Sequence, residues 1–335
     1  MIGSRPGARP RSAVASRRPV FHSSFGVVMT KKVLLAALLA VGAALAAHGA
    51  SAQELTGTLK KIKDTGKVTM GVRDSSGVLS YTLGNGQYAG FHVNLCQNLL
   101  ADLQKQLKLP KLNIEYMSVT SSNRIPLVEN GTVDLECGST TNNVARQKQV
   151  AFGLTTYVTE VRMAVRAGQR LYSVAQLDGK TVATTTGTTS VQTLRKSERG
   201  QNIKFNEVYG KDHAESFLLL ESGRADAFVM DDYILAGNIA NSKDPKQFDI
   251  VGEPLSVEPI AIMFRKDDPA FKTAVDDYIR KTMKSGEFEK LYNKWFMSPI
   301  PPKNNNPGVP MSQRLKDAIA NPNDKPMEDY AAKKS

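Results

Sequence analysis

Two arginines, Arg124 and Arg146, stand among four hydroxyl residues, Ser121, Ser139, Thr140 and Thr141. Between the arginines, residues 132–137 alternate in the period of a strand. Val133, Leu135 and Cys137 fall on one face, and Asp134 and Glu136 on the other. The predicted strand runs out into Gly138 and the hydroxyl cluster, so the donors collect at its C-terminal end, where open α/β sheets hold their ligands. Guanidinium forks and hydroxyls at such an edge suit a carboxylate, which arginine grips in bidentate fashion. A single arginine beside a single serine is usually solvated. Six donors around one strand end point to an anion site.

Other positions fit the same chemistry. Residues 185–190, Thr-Thr-Gly-Thr-Thr-Ser, lie between a predicted strand and a predicted helix, and Gly187 lets backbone come close to a ligand. A helix N-terminus offers free N–H groups and a positive dipole end to an anion. Capping needs one hydroxyl, and this stretch has five, Thr189 among them. Asp231 follows the apolar strand 227–230, where an acid would meet a cation such as an ammonium. Its competing use is to cap the next helix, which Asp232 could do equally well. Arg73 also follows a strand and shares that positional logic. His213, near the start of a helix at 212–221, is either a charged donor or a neighbour of the cap.

The elements that must position these residues alternate strand and helix twice over. In the first unit a helix at 55–65 ends at Gly66, a strand covers 67–72, and strands 79–83 and 88–91 turn on Gly84-Asn85-Gly86. A helix at 92–107, a strand at 112–117 and a helix at 122–130 follow, the last stopping at Gly131. The second unit places strands at 161–166, 181–185, 204–208 and 225–230 among helices at 173–177, 191–197, 212–221 and 233–241. A strand at 260–264 and helices at 268–284 and 287–296 complete the pattern. Such alternation predicts parallel pairing with right-handed crossovers. The fold class is therefore α/β, with two lobes, each a mainly parallel sheet flanked by helices, and two chain crossings near 156–160 and 256–259. The first lobe takes 53–157 and 259–298, and the second takes 158–258. A Pro- and Asn-rich extension occupies 299–335, and its end after Asn321 is expected to be loose.

Bulk properties narrow the function. From Met29, Met-Thr-Lys-Lys leads into an apolar run at 33–47 and then Ala50-Ser51-Ala52. These are the charged, apolar and small-residue parts of a secretory signal, with cleavage expected after Ala52. The apolar run is too short for a membrane-spanning helix, and no later segment approaches the required length. Residues 1–28, rich in Arg, Ser and Pro, are either an extended leader or sequence upstream of the true start. Residues 1–52 hold seven of the 44 basic residues and no acid, so the formal charge of +12 falls to +5, from 37 bases and 32 acids, without them. Acids and bases interleave in that remainder, unlike the basic face of a nucleic-acid binder, and no nucleic-acid partner is expected. Attraction of small anions is. Cys96 lies on an apolar helical stripe with Phe91, Leu95, Leu99, Leu103 and Leu107, and Cys137 on the apolar face of its strand. In an oxidising compartment they either bridge, closing a loop of about 40 residues worth roughly 4 kcal/mol on the chain-entropy model, or remain buried thiols. No Cys/His spacing suggests a metal or other cofactor.

Several motifs together resemble one family. They are Thr65-Gly66-Lys67-Val68 with Gly71-Val72-Arg73-Asp74-Ser75-Ser76, Ser121-x-Asn-Arg124-Ile-Pro-Leu, and Glu136-Cys-Gly-Ser-Thr-Thr-Asn-Asn-Val-x-Arg146-Gln. Glu-Ser-Gly-Arg-Ala-Asp-Ala-Phe-x-Met-Asp-Asp at 221–232, Lys294-Trp-Phe and Ser298-Pro-Ile-Pro-Pro-Lys303 extend the likeness. This pattern is similar to the periplasmic glutamate/aspartate-binding proteins of ABC importers, within family 3 of the solute-binding proteins. It covers nearly all of 55–325, and the Cys-Gly-Ser-Thr-Thr-Asn-Asn stretch is specific to the acidic-ligand branch. The departures are the long leader and Thr186, where the family carries Ser.

The resemblance implies a type II, two-lobed periplasmic-binding-protein fold whose two crossings form a hinge. It implies that Arg146, with Ser139, Thr141 and Thr189, holds the α-carboxylate of the ligand, and that Asp231 takes the α-ammonium. Arg73, Ser121, Arg124 and His213 would receive the side-chain carboxylate. The implied protein is a periplasmic monomer without cofactor that captures L-glutamate and L-aspartate by hinge closure and delivers them to an inner-membrane permease. The residue types agree: three Arg, one His and one Asp complement two carboxylates and one ammonium. Glutamine would leave a guanidinium poorly compensated, and a basic amino acid would meet like charge. A periplasmic lyase or dehydratase on the same scaffold is the enzyme rival, but it needs a general acid or base beyond Asp231 and one histidine. A ligand-sensing partner of a chemoreceptor would differ only in what it docks to.

Overall fold

The computed structural model describes residues 54–330. The leader, the cleavage after Ala52 and the last residues of the extension lie outside the described residues. Helix α1 (Gly57–Thr65) stops because Gly66 takes a left-handed φ of 63° and its N–H bonds back to Ile62 O. Strand β1 (Lys67–Val72) follows, then a small antiparallel sheet of β2 (Ser75–Ser76), β3 (Ser80–Gly84) and β4 (Gln87–Ala89). Helix α2 (Phe91–Gln106) lays Phe91, Leu95, Cys96, Leu99 and Leu103 into the core. Next come β5 (Asn113–Ser118), α3 (Arg124–Glu129), β6 (Leu135–Glu136), α4 (Val144–Gln147) and β7 (Val150–Phe152). Strand β8 (Tyr157–Arg166) enters the second sheet. There β9 (Thr181–Thr185), α5 (Thr189–Gln201), β10 (Asn206–Gly210), α6 (His213–Glu221), β11 (Ala227–Asp231) and α7 (Asp232–Asn241) alternate. Strand β12 (Phe248–Ile260) leads back to β13 (Met263–Arg265), α8 (Pro269–Ser285), α9 (Glu287–Phe296) and α10 (Gln313–Ala320).

The two large sheets have the strand orders β5-β1-β6-β13-β7 and β10-β9-β11-β8-β12. Where helices connect neighbouring strands the pairing is parallel, as expected: β1 with β5 and β6, and β9 with β10 and β11. In each large sheet four strands share one direction, as expected of a mainly parallel sheet, and one runs against them. Strand β13 runs antiparallel to β6 and β7, and β8 runs antiparallel to β11 and β12. These are strands on which the chain passes between the sheets, so no crossover helix fixes their direction.

The return crossing differs from its sequence reading. Residues 260–264 do not form one strand; β12 ends at Ile260 and β13 begins at Met263. Strand β12 pairs with β8 through Ile260↔Tyr157, Pro259↔Val158 and Glu258↔Thr159, so the two crossings are one ladder. Its earlier half escapes sequence reading because Gly252 and Pro254 interrupt it, at a register shift between Val251 and Ser256.

Only Leu135–Glu136 of the expected strand 132–137 joins the ladder, and both of its faces are buried. Acids tolerate that setting because they are used inside. Asp134 accepts from Thr69 N–H at 2.8 Å and from Lys61 Nζ at 2.7 Å, and Glu136 accepts from the Thr140 hydroxyl at 2.7 Å. The extension is likewise not loose through residue 330. Thr155 N–H donates to Asn323 O, Met327 N–H to Asn142 O and Asn142 Nδ2 to Asp324 O, each at 2.8 Å. Backbone bonds supply an anchor that composition did not suggest.

Cys96 and Cys137 form a disulfide across 41 residues, joining α2 to the segment that follows β6. Reducing and alkylating this bond should lower unfolding stability by about 4 kcal/mol. Urea titrations of the oxidised and alkylated forms measure the difference, and coincident curves would show that the bridge contributes nothing.

Candidate ligand-binding site

Every strand that delivers a candidate residue delivers it at its C-terminal end. Arg73 follows β1, Ser121 and Arg124 follow β5, and Ser139 and Thr141 follow β6. From the second sheet, Thr188–Ser190 follow β9, His213 follows β10, and Asp231 ends β11. The two sets face each other across a narrow, nearly closed gap. One wall holds Ser121, Arg124, Ser139 and Thr141; the other holds Thr188, Thr189, Ser190, His213, Met230 and Asp231. Arg73 and Arg146 stand behind these walls.

The three arginines are buried but differently satisfied. Arg73 donates to Ser139 Oγ at 3.2 Å and Ser121 Oγ at 3.0 Å, and its Nη2 reaches Asp212 Oδ1 at 2.9 Å. It thus holds two gap-lining serines and ties them to the opposite lobe, where Ser75 Oγ also donates to Asp212. Burial would raise the Asp212 carboxyl, but the Arg73 guanidinium and the Ser75 hydroxyl hold it below the usual carboxylate range. Arg146 donates to Thr141 O at 2.9 Å and to Gly187 O at 3.3 Å, also across the gap. Arg124 is the outlier. Its Nε and Nη1 are buried without a partner. Burial, together with Arg146 and Arg73, lowers its pKa to about 9, so it stays cationic at neutral pH.

His213 is not a charged donor. Burial and the neighbouring Arg73 lower its pKa to about 3. Its Nε2 lies 3.2 Å from Arg73 Nη2 and must accept, which leaves Nδ1–H to donate to Thr185 Oγ1 at 3.0 Å. Asp231 does not cap the next helix. Asp232 takes the Thr159 hydroxyl and Tyr233 N–H, each at 2.7 Å, leaving the Asp231 carboxyl at the gap. Burial, then Glu258 and Asp232, push the Asp231 carboxyl well above its ordinary range, against the pull of Arg124 and Arg146. The N-terminus of α5 is also uncapped by Thr188, whose hydroxyl donates back to Thr185 O at 2.8 Å. Its first N–H groups therefore have no side-chain cap.

Sequence reasoning missed Asp212 and Glu258. Asp212 looked like a helix-start residue. Glu258 was visible as the one acid in Val-Glu-Pro-Ile-Ala-Ile, yet only folding brings it beside Thr141 and Thr189. The assembled site offers buried cations and uncapped N–H groups with a carboxylate facing them. That suits a small ligand carrying both anionic and ammonium groups.

Comparison with known proteins agrees with this chemistry. The sequence profile of the bacterial extracellular solute-binding proteins, family 3, matches residues 68–298. An L-glutamate/L-aspartate-binding protein of Pseudomonas aeruginosa is 47% identical over 86% of this chain and 96% of its own length. A glutamate/aspartate import solute-binding protein of Escherichia coli is 43% identical over 86% of this chain and 95% of its own. Among solved structures, a solute receptor for L-cysteine from Neisseria gonorrhoeae superposes with a TM-score of 0.65 at 23% identity, covering 77% of this chain and 100% of its own. The fold is the two-lobed type II periplasmic-binding-protein fold.

Gly187 carries a φ of +83°, and a Cβ there would stand 2.7 Å from Ser122 Cα. Gly187→Ala should keep both lobes folded yet weaken ligand binding at least about tenfold, roughly 1.4 kcal/mol, because the seam cannot shut. Calorimetry beside a melting curve separates the two effects, and unchanged affinity would contradict the clash. Asp231 gives a prediction with a pH sign. A carboxyl raised by folding contributes stability below the ordinary carboxylate range and loses it as pH rises through the folded value. Asp231→Asn should therefore melt above wild type at pH 7 without added ligand, and the gain should vanish by about pH 4. The same variant should bind amino acids weakly, by on the order of 2–5 kcal/mol. Melting scans at both pH values check the first part and titration checks the second.

Proposed function

The chain belongs to the bacterial extracellular solute-binding proteins of family 3, and we propose that it captures L-glutamate and L-aspartate for an ABC importer. The observation that carries this reading is Arg124, a buried guanidinium at the gap with two unpartnered nitrogens, Nε and Nη1, and no ion pair among the described residues. Such a group calls for an anion from the ligand. In this reading Arg124 and Ser121 meet the side-chain carboxylate, with Arg73 holding Ser121 and neutral His213 beside it. Asp231 meets the α-ammonium. Arg146, Ser139 and the first N–H groups of α5 surround the α-carboxylate end, and Thr141 and Thr189 adjoin it.

The surrounding biology follows from the same proposal. The leader and signal, 1–52, direct export to the periplasm with cleavage after Ala52. The mature chain works as a monomer, with lobes of 53–157 plus 259–298 and of 158–258 and an extension of 299–335. Ligand contacts from both lobes favour closure, and the closed surface is what the inner-membrane permease reads. The protein is a binding protein and not an enzyme. His213 has both ring nitrogens engaged by Arg73 and Thr185 and so offers no free general base.

Calorimetry on residues 53–335 tests the assignment. Glutamate and aspartate should bind with Kd on the order of 1 μM or tighter, near −8 kcal/mol. Glutamine should bind on the order of a hundredfold more weakly, since it forgoes charge-assisted bonds worth about 1.5–3 kcal/mol each. Arg124→Met should narrow that ratio by weakening glutamate much more than glutamine. Tighter binding of glutamine or arginine than of glutamate by the wild type would reject the function, and an unchanged ratio in Arg124→Met would remove Arg124 from the side-chain pocket.

A further inference from the structure

Thr141 and Thr189 reach the gap from opposite lobes, and their hydroxyl protons already have a destination. Thr141 Oγ1 donates to Glu258 Oε2 at 2.6 Å, and Thr189 Oγ1 donates to the same oxygen at 2.7 Å. Glu258 is fully buried on β12, and its other oxygen accepts from Ser256 Oγ at 2.8 Å, which fixes the carboxylate in place. A threonine hydroxyl has one proton and two lone pairs. With the proton held by Glu258, each hydroxyl can offer the gap only lone pairs. The two oxygens lie 3.4 Å apart and line the gap together with Asp231. A ligand carboxylate is acceptor-only and gains nothing from such a pair. An ammonium has three donors and no acceptor, and it complements two lone-pair oxygens and a carboxylate.

We propose that Glu258 is a specificity-determining residue that acts through Thr141 and Thr189. By taking both hydroxyl protons it makes the pair an acceptor surface for a cationic amino group. The site thereby rejects dicarboxylates of the same shape whose α-position carries a keto oxygen. The α-carboxylate falls to Arg146 and the first N–H groups of α5, and the threonine hydroxyls are moved from the carboxylate side of the ligand to the ammonium side. The inference rests on capture of an acidic amino acid as proposed above, but it concerns a residue that contacts the ligand only through others.

The discriminating measurement is the ratio of L-glutamate to 2-oxoglutarate affinity, by calorimetry with competition where binding is weak. Glu258→Gln keeps the shape, and its amide can donate to the hydroxyls and turn their protons toward the gap. That variant should weaken glutamate and strengthen 2-oxoglutarate, narrowing the ratio at least about tenfold, a change worth roughly 1.4 kcal/mol. Equal losses for both ligands would mean that Glu258 merely supports the hinge, and would overturn the proposal. Should Glu258→Gln fail to fold, Thr189→Val removes one hydroxyl directly. It should weaken glutamate while leaving 2-oxoglutarate unchanged or tighter, and equal weakening of both would show the hydroxyl donating to the shared carboxylate. A wild-type protein that binds no acidic amino acid would instead overturn the function, and this inference with it.

Discussion

Burying several positive charges in one seam is the constraint on which this structure turns. A charge taken out of water must find a partner or lose its proton, and a guanidinium does not lose its proton at neutral pH. The chain solves the problem three ways. Arg73 is given a carboxylate, Asp212, together with two serine oxygens. Arg146 is given backbone carbonyls from both lobes. Arg124 is given nothing for two of its donors. The same seam buries Asp231 without capping work and places Glu258 near it. Arg124 faces the gap without an internal counter-ion and Asp231 without a capping bond, so complementarity is reserved for a molecule that brings both signs at the right separation.

The fold makes that arrangement affordable. Both large sheets present strand C-termini to the gap, where backbone and short polar side chains converge without a covering helix. Arg73 and Arg146 are each braced by residues from more than one element, which holds their forks in one orientation. Close approach between lobes depends on backbone without a side chain at Gly187, packed on Ser121 and Ser122. Around the crossings, Tyr157 stacks on Phe296 at 5.2 Å and meets Tyr233 edge-on at 5.1 Å, so an aromatic cluster links the hinge ladder to both lobes. The disulfide secures the other end of the Ser139–Thr141 segment by fixing Cys137 to α2.

Much of this was legible in the sequence wherever the signal was local. Gly66 stops α1 where a left-handed cap was expected, and β1, β9 and α9 have the boundaries their patterns implied. Ser121, Arg124, Ser139, Thr141, Thr189, His213 and Asp231 converge on one gap because all lie at or beyond strand C-termini, a placement the motifs and the family resemblance together anticipated. What was illegible depends on distant partners. The ladder of β12 is interrupted by Gly252 and Pro254, and its pairing with β8 is set by the tertiary return of the chain. The neutral state of His213 follows from its burial and from Arg73, which is 140 residues away in sequence. The extension is fastened by backbone bonds to Asn142 and Thr155, which composition cannot register.

Placing Glu258 on the hinge ladder has a consequence for how recognition and motion are coupled. Thr141 is bridged to Ile260 at the end of β12, so its hydroxyl stays near Glu258 whatever the second lobe does. Thr189 opens α5 on the second lobe and reaches the same carboxylate oxygen only when the lobes meet. The acceptor surface is therefore complete in the closed form and incomplete in any form that separates them. A ligand shifts a conformational equilibrium only by its difference in affinity between the two states. If the ammonium engages both hydroxyl oxygens and Asp231 at once, as proposed, it supplies that difference directly. On the proposed assignment, Arg146, which spans from Thr141 O to Gly187 O, does the same at the carboxylate end. In the proposed reading charge recognition and closure are one event, since the groups that would read the ligand are assembled by the contact the ligand favours.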